Sequence, residues 1–389
     1  MSSAVQASPV IVVGAGPAGL AMAACLQKEK VPCIVLEQHD HVGSSWVGHY
    51  HRLHLHTDKA HSALPFFDFP KSYPRYPSRQ QVVDYLNAYT RHHQIQPFYG
   101  QKIVRACRSE NGWEVHSQDT VYRARSLVVA AGHNREPQRP TWPGMDTFQG
   151  QVLHSSAYAN GADFKGQRVL VVGLGNSGGE IAIDLHEHGA RPTLAVRSPV
   201  NVIRREVFGI PFLTIGILQK ALPPQLADAL NAPVMRLLTG DLSQCGLRQP
   251  AEGPVTQIRK HGRVPFIDVG TIALIKQGLV QVRPGIERFT EQGVVFNDGR
   301  AEAFDAVVLA TGYRPNVQSW LEAGEGVFGE GGLPVLSGQA LSHARGLYFC
   351  GYYVSPTGML REIAQEAQQL GRLIARSHQR FPGIAAPTA

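Results

Sequence analysis

The chain has 389 residues, 43% of them hydrophobic, enough for two or three domains with sizeable cores. Its formal charge of +7 comes from Lys and Arg scattered along the sequence, which argues against a nucleic-acid patch and fits a solvated surface with pockets for phosphorylated ligands. The five cysteines (Cys25, Cys33, Cys107, Cys245 and Cys350) form no Cys-x-x-Cys pair, so neither a disulfide framework nor a structural zinc site is expected, and the reducing cytoplasm is the expected compartment.

Residues 2–27 carry no charge. They do not read as a signal or membrane segment, because no basic stretch leads them and Gly14, Gly16, Pro17 and Gly19 interrupt them. They divide into a buried strand at 10–13 and a helix from Pro17. Gly14 to Gly19 matches G-x-G-x-x-G between that strand and that helix. Gly14 permits the tight turn, Gly16 lets backbone approach a pyrophosphate, and Gly19 lets the helix pack on the strand. Glu37 ends the next strand, 23 residues after Gly14, where a carboxylate suits unphosphorylated ribose hydroxyls. This turn should hold FAD or NAD.

Further along, His49, His51, His54, His56 and His61 crowd one loop with Asp58. The loop has no recognised ligand spacing, so a cofactor-facing segment accounts for it better than a metal site. Residues 126–132 read as a strand closing the first half, and 137–144 as a Pro-rich linker. A second strand, glycine turn, helix and strand follows at 167–198. Its Gly173, Gly175 and Gly178 repeat the pattern about 160 residues on, with Asn176 and Ser177 between them. Here the second strand ends in Arg197 and Ser198 instead of an acid, which suits the 2′-phosphate of NADP. Arg204 and Arg205 are solvated residues or contacts for a substrate carboxylate or the NADP phosphate. Residues 209–247 look helical and apolar. Residues 303–313 form a strand and turn ending in Thr311, Gly312 and Tyr313, and 310–316 form a second linker. A strand at 346–353 ends near Gly351, and Leu360, Ile363, Ala364, Ala367, Leu370 and Ile374 then recur at helical spacing.

The expected architecture is α/β with two Rossmann-like dinucleotide-binding domains, the NADPH domain inserted into the FAD domain. Residues 1–162 and 317–389 would build the first, and 163–316 the second.

Residues 148–158 read F-x-G-x-x-x-H-x-x-x-Y. With the two glycine turns and the Ala310–Tyr313 turn, this resembles the flavin-containing monooxygenase family over nearly the whole chain. The segments at 43–46, 53–57, 76–86, 196–209, 245–250, 265–278 and 309–321 are similar to the YUCCA branch in collinear order. Only the C-terminal pattern at 351–367 departs from it. The resemblance implies FAD and NADPH as cofactors, and insertion of one oxygen atom from O2 into a small organic substrate through a flavin 4a-(hydro)peroxide. For that branch the reaction is oxidative decarboxylation of an aryl-pyruvate such as indole-3-pyruvate. N- or S-oxygenation and a flavin disulfide reductase or oxidase are the alternatives. A reductase needs a dithiol, and Cys25 and Cys33 fall on the first helix and the next strand. A flavin-bearing redox sensor without turnover is a further alternative.

The FAD site is expected to use the first glycine turn with Pro17 and Ala18, then Glu37, Gln38, Ser45, Trp46, Val104, Ala131 and Gly132. Gly351, Met359 and Leu360 complete it. His56 and Thr57 are flavin-facing candidates, and no side chain is assigned to catalysis. The NADPH site is expected at Gly173, Gly175, Asn176, Ser177, Gly178, Arg197, Ser198, Thr311, Gly312 and Tyr313. His154 and Tyr158 read as organisers of the junction. No metal, nucleic acid or membrane partner is expected, and a homodimer is left open.

Overall fold

The computed structural model describes residues 5–380. They form a mixed α/β fold around two sheets. The first grows from strand Val5–Val13, parallel to Cys33–Leu36 on one side and Val121–Val129 on the other. Val10, Ile11 and Val12 are wholly buried, as a strand covered on both faces requires. Gly112–His116 and Arg105–Ser109 extend this sheet as an antiparallel meander edged by Leu321–Glu322. Leu347–Phe349 pairs with the end of Val121–Val129. Both ends of the chain therefore build one sheet.

The C-terminal helix Met359–Arg380 buries Ile363, Ala367, Leu370 and Ile374 at helical spacing in the same core as the first helix, Pro17–Lys28. Each large aliphatic side chain so buried contributes about 1.5–3 kcal/mol. Close approach needs Gly371, where an added Cβ would stand 3.0 Å from that of Cys25. No helix among the described residues is long and apolar enough to cross a membrane.

The second sheet has five parallel strands in the order Gln281–Arg283, Arg191–Ala195, Arg168–Val172, Ala306–Leu309 and Gln151–His154. Gln151–His154 thus belongs here, so the chain enters this sheet before residue 151 and not at the expected 162/163 boundary. The F-x-G segment leads into an edge strand of the second sheet and does not trail the first. Val317 is already buried in the first sheet's core. Residues 209–247 do carry helices, Phe212–Leu218 and Pro224–Thr239. The two linkers pair with each other: Tyr313–Arg314 lies antiparallel to Glu136–Pro137, and the Gln138 amide donates to the Gly312 carbonyl.

The two glycine turns share one construction. Gly14 and Gly173 both sit at φ 105°, open to glycine alone. A Cβ on Gly19 would lie 1.8 Å from the Gly14 carbonyl oxygen, and one on Gly178 would lie 2.0 Å from that of Gly173. Gly16 and Gly175, by contrast, face nothing within 4 Å.

The C-terminal helix also holds the Gly351 turn. One Glu366 carboxylate oxygen accepts the Gly351 N–H at 2.6 Å and the Ser337 hydroxyl at 2.9 Å, while the other is buried without a partner. Burial, outweighing these bonds, pushes the Glu366 carboxyl up to about 7.

Two outcomes follow from these contacts. Gly16→Ala should fold normally, whereas Gly19→Ala should lose at least about 3 kcal/mol or fail to fold, since its Cβ meets backbone; urea midpoints of the pair test this, and equal stability would refute it. Between the ordinary glutamate range and pH 7, folded Glu366 keeps a proton that the unfolded chain has released, so its contribution falls as pH rises through that window. Wild type should lose up to about 3 kcal/mol there relative to Glu366→Gln, whose amide oxygen can still accept from Gly351. Parallel stability–pH curves for the two proteins would disprove this.

Candidate functional site

A cavity of about 1140 Å³ takes walls from both sheets. Gly14, Gly16, Pro17 and Ala18 line it from the first glycine turn, and Gly175, Asn176 and Ser177 from the second. Glu37, Gln38, Ser45, Trp46, His56, Thr57, Ala131, Gly132, Gly351, Met359 and Leu360 all reach it, as do Gly312 and Tyr313. Gly19, Gly173 and Gly178 sit behind the wall, packing helix on strand.

The helices that start at Pro17 and Asn176 both lack a side-chain N-cap. Their free N–H groups and positive dipole ends therefore offer anion-binding positions. The open space over Gly16 and Gly175 is where a Cβ would obstruct an approaching phosphate. Asn176 is partly committed, because its side-chain oxygen accepts the Ile267 N–H at 2.8 Å. Glu37 is 3% exposed. Its carboxylate accepts the Ala15 N–H at 2.7 Å and the His39 N–H at 3.0 Å. With no cation paired to it among the described residues, its remaining lone pairs suit ribose hydroxyl donors on the cavity side. The residues present thus fit a dinucleotide at each turn.

Several expected site residues stand off the cavity wall. Val104 is 46% exposed and its N–H donates to His116, whereas neighbouring Ile103 is buried and lines the cavity, because alternate residues of an extended segment face opposite sides. Thr311 is off the wall: its hydroxyl donates to the Gln138 carbonyl at 2.5 Å, tying the two linkers together. Arg197 and Ser198 also lie off the wall, two and three residues past a strand whose last carbonyl, Ala195, accepts the Gly173 N–H. Arg197 is exposed, and Arg248 donates to its carbonyl. Arg204 turns away to the Leu238 carbonyl, but Arg205 lines the cavity.

The histidine-rich loop disperses its imidazoles. His54 bonds the Arg52 carbonyl, His61 bonds Asp58, and His56 Nε2 stands 2.5 Å from Glu180. Glu180, 2% exposed on the helix after the second turn, also lies 3.8 Å from Arg52, which makes a bidentate pair with Glu187. This set clips the loop to the second sheet. Sequence reasoning missed Glu180; its signal was an acid among buried neighbours in the helix's opening turns.

The F-x-G-x-x-x-H-x-x-x-Y segment proves structural in each position. Phe148 packs edge-on against Phe289, and a Cβ on Gly150 would strike Phe148 and the Asp305 carbonyl. The Ser156 N–H donates to His154 Nδ1, which leaves His154 Nε2 to donate to the Gly312 carbonyl at 3.1 Å. Burial holds this imidazole below its ordinary pKa, keeping it neutral. Tyr158 donates to buried Asp184 at 2.6 Å. His154 and Tyr158 therefore brace the junction between linker and sheet.

No cysteine lines the cavity. Burial pushes the Cys25 thiol up to about 12 and the Cys33 thiol up to about 11, so neither is a ready thiolate. Ile203, Phe212, Leu213, Ile258, Val264, Ile267 and Val354 give the cavity an apolar share of its wall, with Arg205 and Ser355 also on it.

Residues 11–207 match the family model described as pyridine nucleotide-disulphide oxidoreductase. The chain is 43% identical over 348 residues to an indole-3-pyruvate monooxygenase, YUCCA1, of Oryza sativa subsp. japonica, covering 88% of this chain and 86% of that one. Among solved structures, the flavin-containing monooxygenase of Stenotrophomonas maltophilia superimposes with a TM-score of 0.72 at 23% identity, covering 96% and 99% of the two chains. The bacillithiol disulfide reductase of Bacillus cereus shares the fold at a TM-score of 0.68 and 19% identity, covering 96% and 100%. With both glycine turns opening on one thiol-free cavity and a relative this similar over most of its length, the chain belongs to the YUCCA branch of the flavin-dependent monooxygenases.

Proposed function

We propose that FAD lies on the first glycine turn and NADPH on the second, each in a Rossmann-like domain, the NADPH domain inserted between the two parts of the FAD domain. The reaction is transfer of one oxygen atom from O2 to a small organic substrate, in the form of oxidative decarboxylation of an aryl-2-oxo acid such as indole-3-pyruvate. The observation that carries this reading is the shared cavity: two uncapped helix N-termini, from different sheets, open onto one space with a partly apolar wall.

Bound there, FAD supplies the acceptor for the electrons of NADPH and the site at which O2 is activated. The chain's own residues bind, orient and exclude water. Gly16 and Gly175 admit the pyrophosphates to the helix ends, and Glu37 receives ribose hydroxyls. Arg197, exposed and without an ion-pair partner among the described residues, meets a 2′-phosphate, with Ser198 beside it. His56 and Thr57 face the flavin ring, and the Glu180 bond fixes the His56 ring in place. The apolar residues of the wall keep water from the reacting centre. No side-chain nucleophile takes part, in keeping with a wall free of thiols and of a Ser-His-Asp array.

The purified holoprotein, mixed with NADPH in air, should consume O2 and release CO2 in equal amounts when indole-3-pyruvate is added. NADPH loss that yields only hydrogen peroxide with every keto acid, amine and sulfide tried would overturn the monooxygenase assignment. Arg197→Ala should cut the preference for NADPH over NADH by about tenfold or more, as loss of a charge-assisted hydrogen bond predicts; an unchanged ratio sinks the 2′-phosphate contact. Gly16→Ala should fold but emerge without flavin absorbance, and full flavin content in that variant would remove FAD from this turn.

A further inference from the structure

We infer that Arg205 anchors the carboxylate of the substrate, and so selects 2-oxo acids over neutral carbonyl compounds. This rests on the reading of the cavity given above and assigns one residue of its wall.

Three observations converge on Arg205. It lines the cavity, as do Ile203, Phe212, Leu213 and Ile258, and Ile203 and Phe212 share one apolar cluster beside it. An apolar chamber of this kind takes an aromatic or aliphatic body, and a cation set into it adds a requirement for negative charge. The guanidinium is also available. It lies 4.0 Å from the centre of the Tyr76 ring, and no carboxylate lies within ion-pair distance among the described residues. Neighbouring Glu206 makes its ion pair with Arg75, at 3.1 Å, and reaches Arg205 only through its longer-range charge. A guanidinium stacked on a ring keeps its in-plane N–H donors free for a planar bidentate partner, and a carboxylate matches that fork.

Position is the third. The Phe212 N–H donates to the Arg205 carbonyl at 2.9 Å, so the arginine is fixed at the start of the helix Phe212–Leu218. Gly358 lies between that helix and the loop at Thr57: a Cβ built on it would stand 3.0 Å from the side chains of both Leu213 and Thr57. Tyr76 approaches from the same loop system, since the Leu55 N–H donates to the carbonyl of Pro77. Arg205 is therefore coupled through Phe212 and Leu213 to Thr57, and through Tyr76 to the Leu55–His56 stretch. A 2-oxo acid held by its carboxylate at Arg205 would direct its body along the apolar wall and its carbonyl toward Thr57.

The test compares binding with turnover in the holoenzyme. Equilibrium dialysis measures the affinity of oxidised protein for indole-3-pyruvate and for its methyl ester, in wild type, Arg205→Gln and Arg205→Lys, with flavin content checked for each. Wild type should favour the acid by about 10- to 100-fold, the loss expected for one charge-assisted hydrogen-bonding pair. Arg205→Gln should bind acid and ester alike, Arg205→Lys should recover part of the preference, and KM for NADPH should stay near wild type. Retained acid preference in Arg205→Gln overturns the anchor even if wild type turns over the substrate. A rise confined to the NADPH KM also overturns it, placing Arg205 in the nicotinamide site. If wild type binds the acid through Arg205 yet releases no CO2, the anchor stands and the proposed reaction falls. If Arg205→Gln does not fold, the Arg205→Lys series and the wild-type acid-to-ester ratio decide alone: no acid preference in wild type refutes the anchor.

Discussion

Two backbone contacts set the geometry from which everything else follows. In each half of the molecule a helix is drawn so close to its strand that a glycine must stand over a carbonyl oxygen, Gly19 over Gly14 and Gly178 over Gly173. That closeness aims the helix's first N–H groups past the strand end into open space, where no side chain caps them. Any larger residue at the third glycine would tilt the helix away and withdraw its dipole from that open space. Because the same constraint operates twice, the chain presents two such ends to a single cavity.

The junction between the sheets sets polar, specific bonds beside an apolar seam in which Tyr50 and Leu53 join the second sheet's core. Glu180 draws His56 and Arg52 toward the second sheet, and Arg52 continues to Glu187. His154 and Thr311 then hold the paired linkers through carbonyl oxygens. Such bonds are directional, so they fix the orientation of one sheet against the other, where apolar contact would allow sliding. Electron transfer between the two proposed dinucleotides needs that orientation more than it needs strength.

Much of this was legible beforehand for physical reasons. The uncharged strand at 10–13, the three glycines of each turn and the buried Glu37 are dictated by local rules of burial and backbone freedom, and those rules act within a few residues. The row of Ile363, Ala367, Leu370 and Ile374 announced its helix by spacing alone. What escaped depended on long-range placement. Which of Ile103 and Val104 faces inward is a one-residue question of strand facing that the pattern left open. Thr311 looked like a ligand contact because it sits beside two that line the cavity, yet its hydroxyl finds Gln138, 173 residues away. Glu180 meets His56 across 124 residues, a pairing no local pattern reveals. The early start of the second sheet was hidden because its edge strand, Gln151–His154, precedes the glycine turn that identifies the unit.

The first sheet draws strands from both ends of the chain, and this has a consequence for biosynthesis. The first glycine turn leaves the ribosome more than 300 residues before the strand Leu347–Phe349 and the helix Met359–Arg380 that complete its surroundings. The intervening five-stranded unit is made whole in the interval and has all of its own strands by residue 309. Synthesis from the N-terminus thus favours maturation of the inserted unit first, with the opening segment waiting partly unpaired for its distant partners. The segment made earlier is then the younger fold, and the apolar face of its first helix is the surface that a nascent chain must keep from misassociation until the helix Met359–Arg380 arrives.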